Sequence, residues 1–223
     1  MNKVHVVLHT QVSVDSKADG FEYDMGTYYQ LAETFKPDAV LSGAETMLKA
    51  EVPEEVPEWS YEVAKNFPSC GRTIMTIVDS KGRVRSWKAL KKQPFWNSVL
   101  ALCSESTPKE YLDYLKSENV DFIIAGKDHV DLRKALQEMR SRYGVKKVRI
   151  DSGGTLAGAL LKDGLVDEIS LLVSPFLLGN LSDNTFISAD GLDLKAPLEL
   201  KLKGVKKLDG GNIWVRYDVV GTK

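Results

Sequence analysis

The stretch Asp151-Ser152-Gly153-Gly154-Thr155-Leu156 sets a carboxylate and two glycines between an apolar run, Val148–Ile150, and a second one suited to a helix. A strand that turns through glycines into a helix presents unsatisfied backbone N–H groups and the positive end of the helix dipole. With no Cβ, Gly153 and Gly154 allow a phosphate or pyrophosphate close to the backbone. A tight strand-to-helix turn without a ligand would have the same sequence. Neither G-x-G-x-x-G nor a Walker A pattern is present. Two further stretches bear on the choice. Between Lys81 and Lys92 stand six basic residues and no acidic one (Lys81, Arg83, Arg85, Lys88, Lys91, Lys92). With the Ser80 hydroxyl they could hold a 2′-phosphate, or they could form a solvated face. Ser42-Gly43-Ala44-Glu45-Thr46 is again strand, glycine, helix start. Three such turns fit an extended dinucleotide better than a small anion.

These turns need strands to end on and helices to begin. Val4–Val14 reads as a strand, Met25–Phe35 as a helix stopped by Pro37, with Asp24 as its N-cap, and Ala39–Leu41 as a short strand before a brief helix through Leu48. Residues 51–71 hold three prolines and five glutamates. They read as a surface excursion with a helix over Tyr61–Asn66, either functional or a solvated insertion. Strands are expected over Thr73–Val78, Val99–Cys103, Asp121–Ala125, Lys147–Ile150 and Glu168–Val173. Helices are expected over Pro108–Lys116, capped by Ser106 or Thr107, over Leu132–Tyr143 ending at Gly144, and over Thr155–Leu161 ending at Gly164. Leu198–Val219 alternates on both sides of Asp209-Gly210-Gly211, a hairpin signal. Strands alternating with helices and then an antiparallel end predict a single α/β domain with a mixed, mostly parallel central sheet flanked by helices.

Composition narrows the function classes. The chain has 223 residues, 43% hydrophobic and 27% charged, with a net charge of −1. That balance argues against nucleic acid as a partner. No apolar run is long enough to span a membrane. The start reads as a first strand and not a signal peptide. Cys70 and Cys103 share no metal-ligand spacing and are too few for a disulfide framework, so the cytoplasm is the expected compartment. His5, His9 and His129 are scattered, and no metal site is expected.

Asp151-Ser152-Gly153-Gly154-Thr155-Leu156, followed by Gly164-Leu165-Val166-Asp167-Glu168 and by Ser174-Pro175 through Gly179, resembles the reductase domain of riboflavin biosynthesis. That family comprises the C-terminal part of the bifunctional deaminase–reductase and its stand-alone diaminopyrimidine relatives. Ile77–Val84, Gly43–Leu48 and Val12–Lys17 match in the same order, so the resemblance covers nearly the whole chain. It implies a dihydrofolate-reductase-like fold, a homodimer, and NADPH-dependent reduction of a ribosylamino-pyrimidine phosphate. By the same resemblance Gly153, Gly154, Thr155 and Leu156 line the pyrophosphate, and Gly43, Thr46, Asp79, Ser80 and Arg83 belong to the cofactor site, with Ser104 facing the adenosine. A branched side chain at Gly154 is then expected to abolish cofactor binding in a folded protein.

Hydride transfer to a carbonyl or imine needs positioning and a proton donor. Asp151, at a strand end beside the glycines, is placed to meet both reactants, or else it caps the following helix. Asp15 could orient a substrate amine or be a plain loop residue, and Glu51 is the third candidate. Trp59, Trp87 and Trp96 could stack on rings, with packing the simpler role. The chain departs from the family after Leu48: paired aspartates, a proline and an arginine are replaced by Lys49-Ala50-Glu51-Val52-Pro53-Glu54-Glu55. That change predicts that the far end of the substrate is held differently.

Overall fold

The computed structural model describes residues 3–50, 52–188, 194 and 197–220. Glu51 and the chain around 189–193 therefore lie outside the described residues. The strands are β1 (His5–Val12), β2 (Ala39–Gly43), β3 (Thr73–Val78), β4 (Trp96–Cys103), β5 (Asp121–Ile124), β6 (Lys147–Ile150), β7 (Glu168–Val173), β8 (Glu199–Lys207) and β9 (Ile213–Val220). The helices are α1 (Met25–Glu33), α2 (Ala44–Lys49), α3 (Glu58–Asn66), α4 (Trp87–Lys92), α5 (Lys109–Ser117), α6 (Leu132–Tyr143) and α7 (Gly154–Lys162). This is the α/β class with a mostly parallel sheet and a C-terminal antiparallel hairpin. The chain forms two compact units, one of Lys36–Val148 with the chain start through Val4, the other of His5–Phe35 with Arg149–Lys223.

In the first unit β2, β3, β4 and β5 pair in parallel, each with the next. The register sets Gly43 beside Val78, Val78 beside Leu102 and Cys103 beside Ile124, so these strands finish at one edge. β2 and β3, and β4 from Val99 on, are mostly buried, which is why they read as apolar runs without alternation, whereas β5 exposes Asp121 and Ile124. The core joins Met75, Ile77, Val99 and Ala101 to Met47, Trp87, Leu90, Tyr111 and Leu115.

Helix α4 is not expected from the sequence, because its lysines hide a two-sided pattern. Trp87, Ala89 and Leu90 are buried, whereas Lys88, Lys91 and Lys92 point outward. The Trp87 indole N–H donates to the Tyr111 hydroxyl at 3.0 Å, so packing is the role of this tryptophan. Trp59 stays 61% exposed. The excursion is partly tied down: Gln93 Nε2 donates to the Pro53 carbonyl and Lys92 Nζ to that of Glu54. Its helix begins three residues before the expected start, at Glu58.

Neither expected cap serves α5. Pro108 occupies the N-cap position without a side-chain bond. Thr107 Oγ1 turns away, accepting from the Ser104 N–H and donating to the Ser80 carbonyl. Asp24 and Asp131 do cap α1 and α6, accepting from the N–H groups of Thr27 and Lys134. Helix α6 stops at Gly144 in the left-handed conformation, φ 69°.

In the second unit β1 lies parallel to β7, which pairs antiparallel with β9, and β9 with β8. His5 and His9 share a strand, but His9 is enclosed and His5 is 41% exposed at its side chain. His9 stacks on Tyr28, and its ring nitrogens meet Ser170 Oγ and the Tyr28 carbonyl oxygen. Burial, then Arg149, lower its pKa to about 3, so the ring is a neutral packing element.

Glu168, at the start of β7, is 2% exposed. It receives Arg216 Nε at 2.5 Å and Lys203 Nζ at 2.7 Å. Burial opposes its charge, but these donors prevail and hold its pKa below the usual carboxylate value. A depressed carboxylate pKa contributes stability that is present above the unfolded value of about 4.3 and lost as pH falls through the folded one. Urea unfolding across pH 3–7 should therefore show an acid loss of stability in the wild type that Glu168→Gln lacks in part. Parallel acid limbs would overturn this assignment.

Candidate functional site

In the second unit, β6 ends at Ile150 and the chain passes through Asp151–Gly153 into α7. Gly153 is the N-cap, with φ −68° and ψ 173°, and no side chain caps the helix. The first intrahelical acceptor is the Gly153 carbonyl, so the N–H groups of the first turn have no intrahelical acceptor. The two glycines differ in surroundings. A Cβ on Gly153 would meet nothing within 4 Å, whereas a Cβ on Gly154 would lie 2.5 Å from the Ser188 nitrogen and 2.7 Å from the Thr185 oxygen. The fold itself thus requires Gly154, because residues 185–188 cross it, and the Ser188 N–H donates to the Gly154 carbonyl. The open approach is at Gly153. Thr155 is exposed, and Leu156 is buried, so only its backbone is available to a ligand.

Asp151 is about one-third exposed at its side chain and lies between two donors. Arg149 Nη2 reaches Oδ2 at 3.3 Å, and the Tyr28 hydroxyl reaches Oδ1 at 3.2 Å. The carboxylate is thus directed by neighbouring side chains, and no side-chain cap on α7 comes from it.

Asp15 has a different use. Its carboxylate receives the Ser13 hydroxyl at 2.6 Å and the N–H groups of Gly179 at 2.7 Å and Leu178 at 3.2 Å. The Ser13 bond, then that of Gly179, lower its pKa to about 2. It is a latch between two loops, and such a group does not donate a proton at neutral pH.

A cleft of about 400 Å³ opens in this unit beyond the ends of β1 and β7, lined in part by Gln11, Tyr23, Asp24, Ser174, Phe176 and Asn212. Gln11 is 1% exposed; its Nε2 donates to Ser174 Oγ at 2.8 Å, and its Oε1 has no partner among the described residues. Tyr23 on the wall has its pKa raised to about 12 by burial, then by Asp19 and Asp151, so it is a neutral phenol. Gln11 and this cleft are absent from the sequence expectations. The available signal was an amide inside a strand that is otherwise buried and apolar.

In the first unit the expected residues gather where β2, β3 and β4 end. Asp79 is 1% exposed, and its Oδ2 accepts from the N–H groups of Arg83 at 2.6 Å and Val84 at 2.8 Å. It shapes the turn and does not line an open surface. Ser80 Oγ accepts from the Val130 N–H at 3.0 Å. Ser104 is fully buried, its hydroxyl against those of Ser106 and Thr107. Arg83 pairs with Glu45 at 2.7 Å on the surface. Gly43 precedes α2, and Thr46 stands half-buried in its first turn. The basic segment is partly spent within the unit: Arg85 lies over the rings of Tyr111 and Tyr114, and Lys91 donates to the Glu118 carbonyl. Among the described residues no cluster of His, Cys, Asp or Glu could hold a metal, and no helix is long and apolar enough to cross a membrane.

Solved structures define the class. A pyrimidine reductase-like protein of Corynebacterium diphtheriae superposes with a TM-score of 0.74 at 19% identity, covering 99% of this chain and 94% of that one. A riboflavin biosynthesis reductase of Saccharomyces cerevisiae does so with a TM-score of 0.66 at 18% identity, covering 98% and 90%. The fold is that of these reductases. Residues 4–214 match the RibD C-terminal domain, and the chain belongs to that family. The 2,5-diamino-6-ribosylamino-4(3H)-pyrimidinone 5′-phosphate reductase of Methanothermobacter thermautotrophicus is 31% identical, over 97% of this chain and 99% of the relative. The protein of the same name from Aquifex aeolicus is 25% identical over 91% of each.

The contrast between the glycines gives a test. Gly154→Ala should lose roughly 1–3 kcal/mol of stability through overpacking against residues 185–188. Gly153→Val should cost at most about 1 kcal/mol, as a poorer N-cap, yet weaken nicotinamide-cofactor binding about tenfold or more through lost access to the helix N-terminus. Urea melts of the apo proteins and nucleotide titrations measure both. A Gly153→Val protein with wild-type affinity would remove this turn from the cofactor site.

Proposed function

We propose that the chain is an NADPH-dependent reductase of the riboflavin pathway, acting on a ribosylamino-pyrimidine phosphate as its curated relatives are named to do. The observation that carries this reading is the 31% identity to a named reductase along essentially its full length. The open helix start at Gly153 supports a pyrophosphate there, held by the backbone of Gly153 through Leu156. Among the residues at the strand ends of the first unit, Gly43, Thr46, Ser80 and Arg83 are those we assign to cofactor binding by the family resemblance. Asp79 and Ser104 act from beneath by fixing the turns. The basic run from Lys81 supports NADPH over NADH.

NADPH supplies the hydride. Hydride addition to the sugar carbon sends the π electrons to its heteroatom, which takes up one proton. Asp151 is the carboxylate we assign to the reacting end of the substrate, and the Gln11 cleft offers amide groups suited to a polar heterocycle. The acidic stretch after Leu48 favours a second reading, in which the substrate lacks the phosphate, since Glu54 and Glu55 are exposed there. Against it, Lys92 docks on the Glu54 carbonyl and brings a cation to that stretch. We favour the phosphate ester, in a cytoplasmic homodimer.

Steady-state assay with the ribosylamino-pyrimidine phosphate and NADPH should give kcat/KM of about 10⁴ M⁻¹s⁻¹ or more. Absence of turnover would sink the substrate assignment. NADH should bind about tenfold more weakly than NADPH, a difference of about 1.4 kcal/mol that one charge-assisted contact supplies; equal affinities would refute the cofactor preference. Sedimentation at micromolar concentration should show a dimer, and a monomer would count against that part.

A further inference from the structure

Arg149 is the second residue of the four-residue strand β6, in the sequence Lys147-Val148-Arg149-Ile150. Its side chain is 5% exposed, and Nη2 on Asp151 is its one hydrogen bond among the described residues, since Nε and Nη1 have no partner. The guanidinium also lies over the rings of Tyr28 and Tyr29 of α1, at 6.0 and 5.9 Å. Burying a guanidinium with unmet donors costs several kcal/mol, and an apolar residue of similar volume would remove that cost. For stability alone, arginine is a poor choice in this strand. Its one strong contact is the carboxylate at the mouth of the α7 turn.

The second donor to Asp151 is the Tyr28 hydroxyl, whose one proton is shared between Asp151 Oδ1 and the His9 carbonyl, each at 3.2 Å. Tyr28 is buried, and burial, then Asp151 itself, push its pKa well above the ordinary value, so the phenol keeps its proton. Asp151, Tyr28, Tyr29 and Glu33 together raise the Arg149 pKa although burial opposes it, so Arg149 stays charged. Both neighbours of the carboxylate are therefore donors at any working pH.

We propose that Arg149 is a positioning residue, which with Tyr28 clamps the Asp151 carboxylate in one orientation so that Asp151 accepts a hydrogen bond from a substrate hydroxyl or amine and does not deliver the proton. This rests on the reading that Asp151 meets the substrate. The proton consumed in reduction then comes from water. The groups facing Asp151 are Arg149, Tyr28 and Tyr23 from the loop before α1; Tyr29, His9 and Glu33 act on Arg149.

The clamp is tested first without substrate. In crystal structures of the apo protein, the Asp151 carboxylate should hold one orientation between Arg149 and Tyr28 in the wild type and lose it in Arg149→Met. An unchanged carboxylate in Arg149→Met overturns the clamp whatever the enzyme reduces. With substrate, Arg149→Met should lower kcat about tenfold or more while NADPH affinity stays within about twofold, and Arg149→Lys should recover part of the loss. In an Asp151→Asn background the same substitution should cost less than about twofold, because Arg149 acts only through that carboxylate. A full further loss there would mean that Arg149 acts by another route. If Arg149→Met does not fold, Tyr28→Phe and Arg149→Lys carry the structural test, each displacing the carboxylate by less; no displacement in either refutes the proposal. A wild type without turnover would count against the substrate reading alone and leave the apo structures to decide the clamp.

Discussion

Parallel strands cannot be joined by a tight turn, so each must be followed by a crossover that returns the chain to the starting edge. All strand-to-helix turns of a parallel stretch therefore lie at one edge. In the first unit this constraint, with the register Gly43–Val78–Leu102, collects the start of α2, the Asp79 turn and the Ser104 loop in one neighbourhood. In the second it sets the ends of β1 and β7 side by side at Val12 and Val173, and the Gln11 cleft lies just beyond them. Polar residues at such ends stand next to backbone groups that the sheet has stopped using. They become either braces for the turns or contacts for a ligand, and burial separates the two. Asp79 and Ser104, at 1% and 0% exposure, are braces; Gly153 and Thr155 are open.

Charged groups in this chain are satisfied under two different arrangements. Glu168 is surrounded by Lys203 and Arg216 in a saturated cluster at the sheet's antiparallel end, where pairing outweighs desolvation. Asp15 is satisfied by a hydroxyl and by backbone N–H groups, with no cation, which is sufficient to keep it ionised. Both are closed sets, in which donors match acceptors. Arg149 differs, because among the described residues two of its nitrogens are unmet while its hydrogen-bond partner, Asp151, remains about one-third exposed. An incompletely satisfied buried charge is costly, and such expense concentrates where a structure does something besides fold.

The long periodic elements were legible in the sequence. β3, α6, β6 and β7 fall on the residues expected from their patterns, and Asp24 and Gly144 act as the caps their types suggest. What failed to show has physical reasons. Helix α4 is short, and its lysines dominate the composition although only its Trp87 and Leu90 face decides its place. Thr107 looked like an N-cap, but its hydroxyl is worth more bridging Ser104 and Ser80 across the chain, a long-range bond no local pattern encodes. Asp15 and Asp151 are alike as loop carboxylates in sequence. They are told apart only by residues far along the chain, Gly179 for the first and Tyr28 for the second.

The glycine pair shows how far a motif can be read. Two adjacent glycines before a helix suggested one purpose, close approach of a phosphate. In the fold they answer separate demands: Gly154 makes room for the chain at 185–188, and Gly153 leaves the helix N-terminus open. A side chain at Gly154 would displace backbone, whereas a Cβ at Gly153 meets nothing within 4 Å. The spacing of the motif is thus held by packing at one residue and by access at its neighbour. A substitution at Gly154 therefore cannot distinguish a lost ligand from a displaced loop, and only a substitution at Gly153 can test for a phosphate at this turn.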